Sequence, residues 1–259
     1  MNKLTVYTLI VVILALAVIA AAAFLGNGNK AAPATMDNVA VSPQFLSQLA
    51  LNNSIFASIG EGSANNIPKV INNKPLLTDG KPTLLYIGAD YCPYCAAERW
   101  ALVIALMRFG NFTKLHYMTS SISDYAPGTP TFTFYNSSYS SPYLNFTEVE
   151  LTTNKLVNGT YPPLQSMNNS ESSLMNEYDP NGSIPFIYFG GYSVQVGSNY
   201  DPMTLSGLNW SQIESQLRNP ASAVSQAIVG SANIETAQIC MMINNTAPVC
   251  SQQYIKNIE

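Results

Sequence analysis

Residues 84–95 read Leu-Leu-Tyr-Ile-Gly-Ala-Asp-Tyr-Cys-Pro-Tyr-Cys, an apolar run followed closely by two cysteines three positions apart. From Cys95 to Phe109, apolar residues recur at i, i+3, i+4 and i+7 starting from Trp100, which is the spacing of one helix face. Proline is tolerated in the first turn of a helix and not in its interior, so Pro93 belongs at the first helical position and Cys92 at the N-cap. The stretch therefore predicts a buried strand that leads directly into a helix with the cysteine pair at its start.

The position of the cysteine pair indicates redox chemistry. A thiolate at a helix N-cap faces unpaired backbone N–H groups and the positive end of the helix dipole, which lowers its pKa. We therefore expect Cys92 to be the attacking sulfur and Cys95, one turn further into the helix, to be the resolving thiol. The alternative is an inert, buried cysteine pair. The strand before the motif and the helix after it make the redox interpretation more specific than the Cys-x-x-Cys spacing alone.

The segments after the cysteine helix favour an α/β fold. Residues 114–119 read as a strand, and a strand, helix, strand order with a short link predicts a parallel crossover. Residues 131–135 and 145–151 alternate at period two and predict a hairpin, inside a mostly β insertion at about 120–180. Two apolar runs around Gly190-Gly191 predict a second hairpin. Helices are expected at 43–50 (after Ser42), 170–178 (capped by Ser170), 210–217 and 221–229.

This order of elements resembles the thioredoxin superfamily over residues 68–218. The resemblance implies a thioredoxin-like fold, in which a central mixed sheet has flanking helices. In that superfamily the proline that opens the third core strand is cis and packs beside the cysteine pair, and Pro185 matches it. Ile184 would then present its backbone to an extended substrate. The expected substrate-positioning residues are therefore Pro93, Tyr94, Ile184 and Pro185. The whole chain also resembles a family of archaeal membrane-anchored proteins that carry a domain of unknown function with a thioredoxin-like region.

One position departs from the thioredoxin pattern. Thioredoxins carry a buried acid six residues before the first cysteine as a proton acceptor for the resolving thiol, and Tyr86 stands there in this chain. Asp90 and Glu98 are the nearest carboxylates. We expect a surface or capping role for both, with proton relay as the alternative.

The N-terminal segment predicts a membrane anchor. Leu4 to Leu25 contains 22 residues without a charge, which is long enough to cross a bilayer, and a cleaved signal peptide is the alternative. We divide the chain into an anchor and tether at 1–30, a linker with a leading helix at 31–67, and a thioredoxin-like domain with its insertion at 68–259. The expected location is the cell membrane, as a single-pass protein with its soluble domain outside.

Two further patterns bear on location and partners. Nine Asn-x-Ser/Thr triplets favour an outward-facing, glycosylated domain, although an Asn-rich composition also explains them. They begin at Asn52, Asn111, Asn136, Asn145, Asn158, Asn168, Asn181, Asn209 and Asn244. The net charge is −4 with 10% charged residues and no cluster of Lys and Arg, which excludes a basic nucleic-acid surface.

A second cysteine pair lies near the C-terminus. Cys240 and Cys250 predict a structural disulfide, which an exported location permits. The alternative is a relay pair that exchanges electrons with Cys92 and Cys95. One zinc ion held by all four cysteines is a weaker alternative, because their spacing is irregular.

Taken together, these patterns predict a membrane-anchored, extracytoplasmic thiol–disulfide oxidoreductase that oxidises or isomerises exported proteins. Its partners would be client thiols or disulfides and a redox partner of unknown identity that recharges the pair. We predict no cofactor and no metal. The competing interpretation is a non-enzymatic surface binding module in which both cysteine pairs are permanent disulfides.

Overall fold

The computed structural model describes residues 36–259, which form a mixed α/β structure with seven α-helices. The expected anchor at residues 4–25 lies outside the described residues. Within 36–259, no helix has both the length and the apolar composition needed to cross a bilayer. The strands are β1 (Lys69–Val70), β2 (Leu77–Thr78), β3 (Lys81–Gly88), β4 (Asn111–Thr119), β5 (Pro130–Ser140), β6 (Asn145–Glu150), β7 (Phe186–Phe189) and β8 (Ser193–Val196). The α-helices are α1 (Pro43–Leu49), α2 (Asn53–Ile59), α3 (Pro93–Leu106), α4 (Asn169–Tyr178), α5 (Trp210–Gln216), α6 (Ala223–Met242) and α7 (Gln253–Lys256).

Strand β3 is the centre of the main sheet. It pairs with β6 in parallel and with β7 antiparallel, and the sheet continues from β7 to β8 and β1. Strand β2 forms a hairpin with the start of β3. The apolar residues of β3 from 84 to 87 are fully buried. This is expected for a central strand of a sheet that is covered on both faces.

Side chains of β3 alternate between two cores, as the period of a strand requires. Leu84 and Tyr86 belong to the larger core, which contains α3 and α6. Leu85 and Ile87 belong to the smaller core, where Met175 of α4 packs. The sheet is therefore the middle layer between α3 and α6 on one face and α4 on the other.

Two strand pairings differ from the sequence prediction. The strand at 114–119 does exist, as part of β4, but the parallel neighbour of β3 is β6. The expected hairpin between 131–135 and 145–151 is wrong, because β5 pairs with β4 in a separate two-stranded sheet. The segment 120–180 therefore contributes β6 to the main sheet instead of forming a wholly separate β insertion. The Gly190-Gly191 hairpin is confirmed, with β7 and β8 antiparallel.

Both tryptophans attach to the start of β5. The indole N–H of Trp100, on α3, donates to the carbonyl of Pro130 at 2.8 Å. The indole N–H of Trp210, on α5, donates to the carbonyl of Thr131 at 2.6 Å. Two helices thus hold consecutive peptide groups of one strand.

Local capping patterns explain most helix starts. Ser42 caps α1, and Asn168, instead of the expected Ser170, caps α4 through a capping box with Glu171. The helix expected at 221–229 extends to Met242, because its buried residues continue through Cys240. Helix α2 was not anticipated; Asn52 caps it.

Candidate functional site

Cys92 is the N-cap of helix α3, and Pro93 occupies the first helical position, as the sequence predicted. The backbone N–H of Cys95 donates to the Cys92 sulfur at 3.1 Å. Both cysteines are unbonded thiols and buried, with 5% of Cys92 exposed and none of Cys95. Helix α3 is buried along its whole length except at Tyr94, so it holds the pair rigidly in the core.

The two thiols have opposite pKa shifts. The hydrogen bond with the Cys95 thiol is the main cause that lowers the pKa of Cys92; backbone N–H groups and the charge of Arg99 add to it, and burial opposes it. Burial is the main cause that raises the pKa of Cys95 well above its ordinary value, and the hydrogen bond and charge of Cys92 add to this. The geometry therefore favours a thiolate at Cys92 and a protonated thiol at Cys95.

The Ile184–Pro185 segment lies against this pair. The peptide bond between the two residues is cis. The Cys92 sulfur lies 3.8 Å from the carbonyl oxygen of Ile184, and in its protonated form Cys92 donates to that oxygen. The attacking residue Cys92 and the substrate-positioning residue Ile184 are thus neighbours in space, although 92 positions separate them in the sequence.

Two tyrosine stacks lie beside the cysteine pair, and the sequence analysis did not identify them. Tyr91 stacks on Tyr161 with ring centroids 4.3 Å apart, and Tyr94 stacks on Tyr125 at 5.9 Å. Tyr94 and Tyr125 are exposed, at 43% and 47%, and the Tyr125 hydroxyl donates to Asp201 at 3.2 Å. The 15 tyrosines of the chain are the one sequence feature that favours such stacks. Local sequence does not specify which two rings stack on each other.

A buried charge cluster lies close to the cysteines. Arg99, four residues after Cys95, donates through two nitrogens to both carboxylate oxygens of Glu150, at 2.9 and 2.6 Å. Its guanidinium also lies 3.7 Å from Asp90. Arg99 and Glu150 are completely buried and Asp90 is 2% exposed. The cluster is an ion pair with a second carboxyl group beside it.

Asp90 is a buried acid, so the expectation of a surface or capping role is wrong. Burial, reinforced by the charge of Glu150, raises its pKa to about 7. Its Oδ1 atom has no hydrogen-bond partner among the described residues. Asp90 also lines a cavity of about 490 Å³, together with Tyr135, Asn154 and Lys155.

Tyr86 occupies the position of the thioredoxin acid and is fully buried. Its hydroxyl finds no hydrogen-bond partner in the described region, and burial raises its pKa well above the ordinary value. The hydroxyl fills the space beside Gly88, where an added Cβ would lie 2.2 Å from it. Both cysteine charges act on this pKa, which places the phenol near the thiols as a neutral group.

Glu98 is also buried, in contrast to the sequence expectation. The backbone N–H of Asn199 donates to it at 2.9 Å, and the side chain of Gln195 donates to its other oxygen. Glu235, on α6, is fully buried, and no described donor reaches its two oxygens. Burial, followed by the charge of Glu98, raises the pKa of Glu235 well above its ordinary value. Burial therefore favours the neutral form of Glu235.

Cys240 and Cys250 are joined by a disulfide bond. It ties the end of α6 to the short 3₁₀ helix Pro248–Ser251, and both residues pack in the larger core. The disulfide expected from the sequence is therefore present, and the pair is buried.

Comparisons with known proteins place this chain in a family. A family model described as a domain of unknown function (DUF929) matches residues 67–241, which is more than half of the chain. The comparison with curated proteins returned no match. The comparison with solved structures also returned none.

Proposed function

The chain belongs to the DUF929 family, and we propose that it is a thiol–disulfide oxidoreductase that acts through Cys92 and Cys95. The observation that carries the proposal is the N-cap geometry, in which the Cys95 N–H donates to the Cys92 sulfur at 3.1 Å and the two thiols have opposite pKa shifts. A pair in which one cysteine attacks the client and the other resolves the mixed disulfide needs this asymmetry. The attacking cysteine reacts as a thiolate, and the resolving cysteine stays protonated until the mixed disulfide has formed.

The order of elements supports a thioredoxin-like fold for residues 68–259. Strand β3, the cysteine helix α3, the parallel strand β6, the hairpin of β7 and β8 and the helices after that hairpin fit the order that the resemblance implies. In this interpretation the inserted elements are β4 and β5, which lie between the helix and the second core strand, and α4.

The mechanism follows from the two sulfurs. The Cys92 thiolate attacks a client disulfide and forms a mixed disulfide, which releases one client thiolate. Cys95 then attacks the Cys92 sulfur, the bond to the client breaks, and the pair is left oxidised. In reverse, the oxidised pair gives its disulfide to a client dithiol. The Ile184 carbonyl, 3.8 Å from the Cys92 sulfur, lies where an extended client segment would pass.

We further propose that the protein is anchored in the cell membrane by residues 4–25 and acts outside, on exported proteins. Eight of the nine sequon asparagines are exposed, and the ninth, Asn145, is partly buried, which supports a glycosylated outer surface. The Cys240–Cys250 disulfide supports an oxidising environment. In such an environment, oxidation or isomerisation is favoured over bulk reduction.

The test is a redox titration of the full chain in a glutathione series, followed by alkylation and mass analysis of each cysteine peptide. We expect Cys92 and Cys95 to titrate reversibly at or above about −230 mV, within the range of glutaredoxins and disulfide donors. We expect Cys240 and Cys250 to stay oxidised. If neither pair exchanges, the catalytic proposal is lost and a disulfide-stapled binding module replaces it.

A further inference from the structure

The resolving step poses an electrostatic problem at Cys95. Its thiol has no exposed surface, and burial disfavours its thiolate. Resolution nevertheless requires Cys95 to become a nucleophile in this position. A buried negative charge needs a nearby positive charge or hydrogen-bond donors to be populated.

Arg99 is a cation that satisfies this need. It lies four residues after Cys95 on α3, one helical turn away on the same face, and it is completely buried. Its positive charge favours the thiolate of both Cys92 and Cys95, whereas the negative charge of Glu150 disfavours the thiolate of Cys95.

The hydrogen bonds of Arg99 leave part of the guanidinium available. Nε and one terminal nitrogen are bound by Glu150, which fixes the plane of the group. The other terminal nitrogen, Nη1, is buried and has no hydrogen-bond partner among the described residues. Buried donors are normally paired, so a free donor beside a redox pair indicates that its partner appears during the reaction.

We propose that Arg99, oriented by Glu150, is the positioning residue that stabilises the Cys95 thiolate during resolution of the mixed disulfide. This inference rests on the proposed function. In the step, the Cys95 S–H loses its proton and its sulfur bonds to Cys92, while the bond from Cys92 to the client sulfur breaks. The client sulfur leaves with the electron pair and takes up one proton. Arg99 balances the negative charge on Cys95 between these events.

Other charged or titratable groups face the same cluster. Glu150 comes from β6, Asp90 follows β3 at 3.7 Å from the guanidinium, and the Tyr86 ring from β3 lies 5.8 Å from the guanidinium carbon. Asp37 adds a negative charge that acts on Asp90. Removing the carboxylate of Glu150 or of Asp90 leaves the positive charge of Arg99 less compensated. The effect of that charge on the Cys95 thiolate is then stronger.

The test measures the ionisation of Cys95 without any client. In the full chain carrying Cys92→Ala, Cys95 is the remaining free thiol of residues 36–259. Its thiolate is followed by ultraviolet absorbance against pH, with Cys92→Ala/Cys95→Ala as the blank. Glu150→Gln is added alone and together with Arg99→Gln. Circular dichroism and thermal unfolding establish that each variant is folded.

We expect Glu150→Gln to raise the thiolate fraction of Cys95 at a given pH about tenfold, and the double change Arg99→Gln/Glu150→Gln to reverse that increase. A structural role would lower the Tm of both variants without this opposite movement. If the two variants titrate alike, the proposal is overturned. Should either variant fail to fold, Asp90→Asn decides, since it leaves the Arg99–Glu150 pair intact: more thiolate supports the proposal and an unchanged titration overturns it. The glutathione titration reports separately on the proposed function, since Cys95 can titrate as expected in a protein that exchanges no disulfide.

Discussion

Glu98 of helix α3 and Glu235 of helix α6 are both fully buried acids, and the charge of Glu98 acts on the carboxyl group of Glu235. Burial raises the pKa of both groups, and for Glu235 the shift is the larger. The folded protein therefore favours the neutral form of Glu235, which lies on the longest helix of the described region.

This acid pair makes stability depend on pH. A folded-state pKa raised above the unfolded value gives stability that is fully present below the unfolded value, near 4.5, and is lost as the pH rises towards the folded value. We expect the Tm of the protein to fall between pH 5 and pH 8, and Glu235→Gln to reduce this fall. At pH 8 the variant should melt at least about 2–4 °C higher than the parent, the shift that about 1 kcal/mol gives in a domain of 150–250 residues.

Thermal unfolding by circular dichroism at the two pH values measures this effect. Glu61→Gln is the control, because Glu61 is exposed and should leave the pH dependence unchanged. Equal pH dependence in Glu235→Gln and the parent would contradict the raised pKa of Glu235.

A second prediction concerns the reactivity of the two thiols. In protein with Cys92 and Cys95 reduced, iodoacetamide should modify Cys92 with a half-maximal rate at a pH below 9.0, its ordinary value. Cys95 should stay unmodified over the same range, since burial raises its pKa and blocks access. Mass analysis of the two peptides against pH checks both statements, and Cys92→Ser supplies the baseline. A Cys92 profile centred at or above 9.0 would falsify the assignment of the attacking thiol.

A third prediction separates the capping role of Cys92 from its chemistry. Serine keeps a side-chain acceptor at the N-cap, whereas valine keeps the apolar volume and loses the acceptor. We expect Cys92→Val to have a free energy of unfolding about 0.5–2 kcal/mol lower than Cys92→Ser. Urea unfolding of the two variants measures the difference. Neither contains Cys92, so a Cys92–Cys95 disulfide affects neither, and equal stability would mean that the sulfur contributes nothing as a cap.

A fourth prediction distinguishes a structural from a relay disulfide. The residues of Cys240–Cys250 are 10 positions apart, and closing a loop of that length contributes about 2–3 kcal/mol to stability in the chain-entropy model. Cys240→Ala/Cys250→Ala should therefore lower the free energy of unfolding by at least about this amount. If the pair is structural, the rate at which oxidised Cys92–Cys95 transfers its disulfide to a reduced peptide stays the same. A slower recharging of Cys92–Cys95 in this variant, at a temperature where it is folded, would instead favour the relay.

Local features of the cysteine helix could be predicted from the sequence, and long-range ones could not. The Cys92 cap and the position of Pro93 depend on residues within one helical turn, so the spacing alone predicts them. The partner of each strand depends on contacts across the fold. Alternation identified residues 145–151 as a strand, but only the tertiary structure pairs its residues with β3.

The buried acids were missed for a related reason. Carboxylates are usually exposed, so composition predicts a surface role for Asp90 and Glu98. Each is buried among groups that the fold brings together from separate segments. Arg99 and Glu150, which accompany Asp90, are 51 positions apart, and the donors to Glu98 come from beyond residue 190. The residues next to Asp90 and Glu98 in the sequence therefore do not predict the contacts with Glu150, Gln195 and Asn199.

The two tryptophans give the protein an internal optical reporter. The chain contains no others, and their indole groups donate to the neighbouring carbonyls of Pro130 and Thr131. Thr131 in turn donates its hydroxyl to the carbonyl of Ala96, the residue after the resolving cysteine. Intrinsic fluorescence therefore samples one small region that is mechanically joined to the redox helix, so oxidation of the pair can be followed in real time without any added dye.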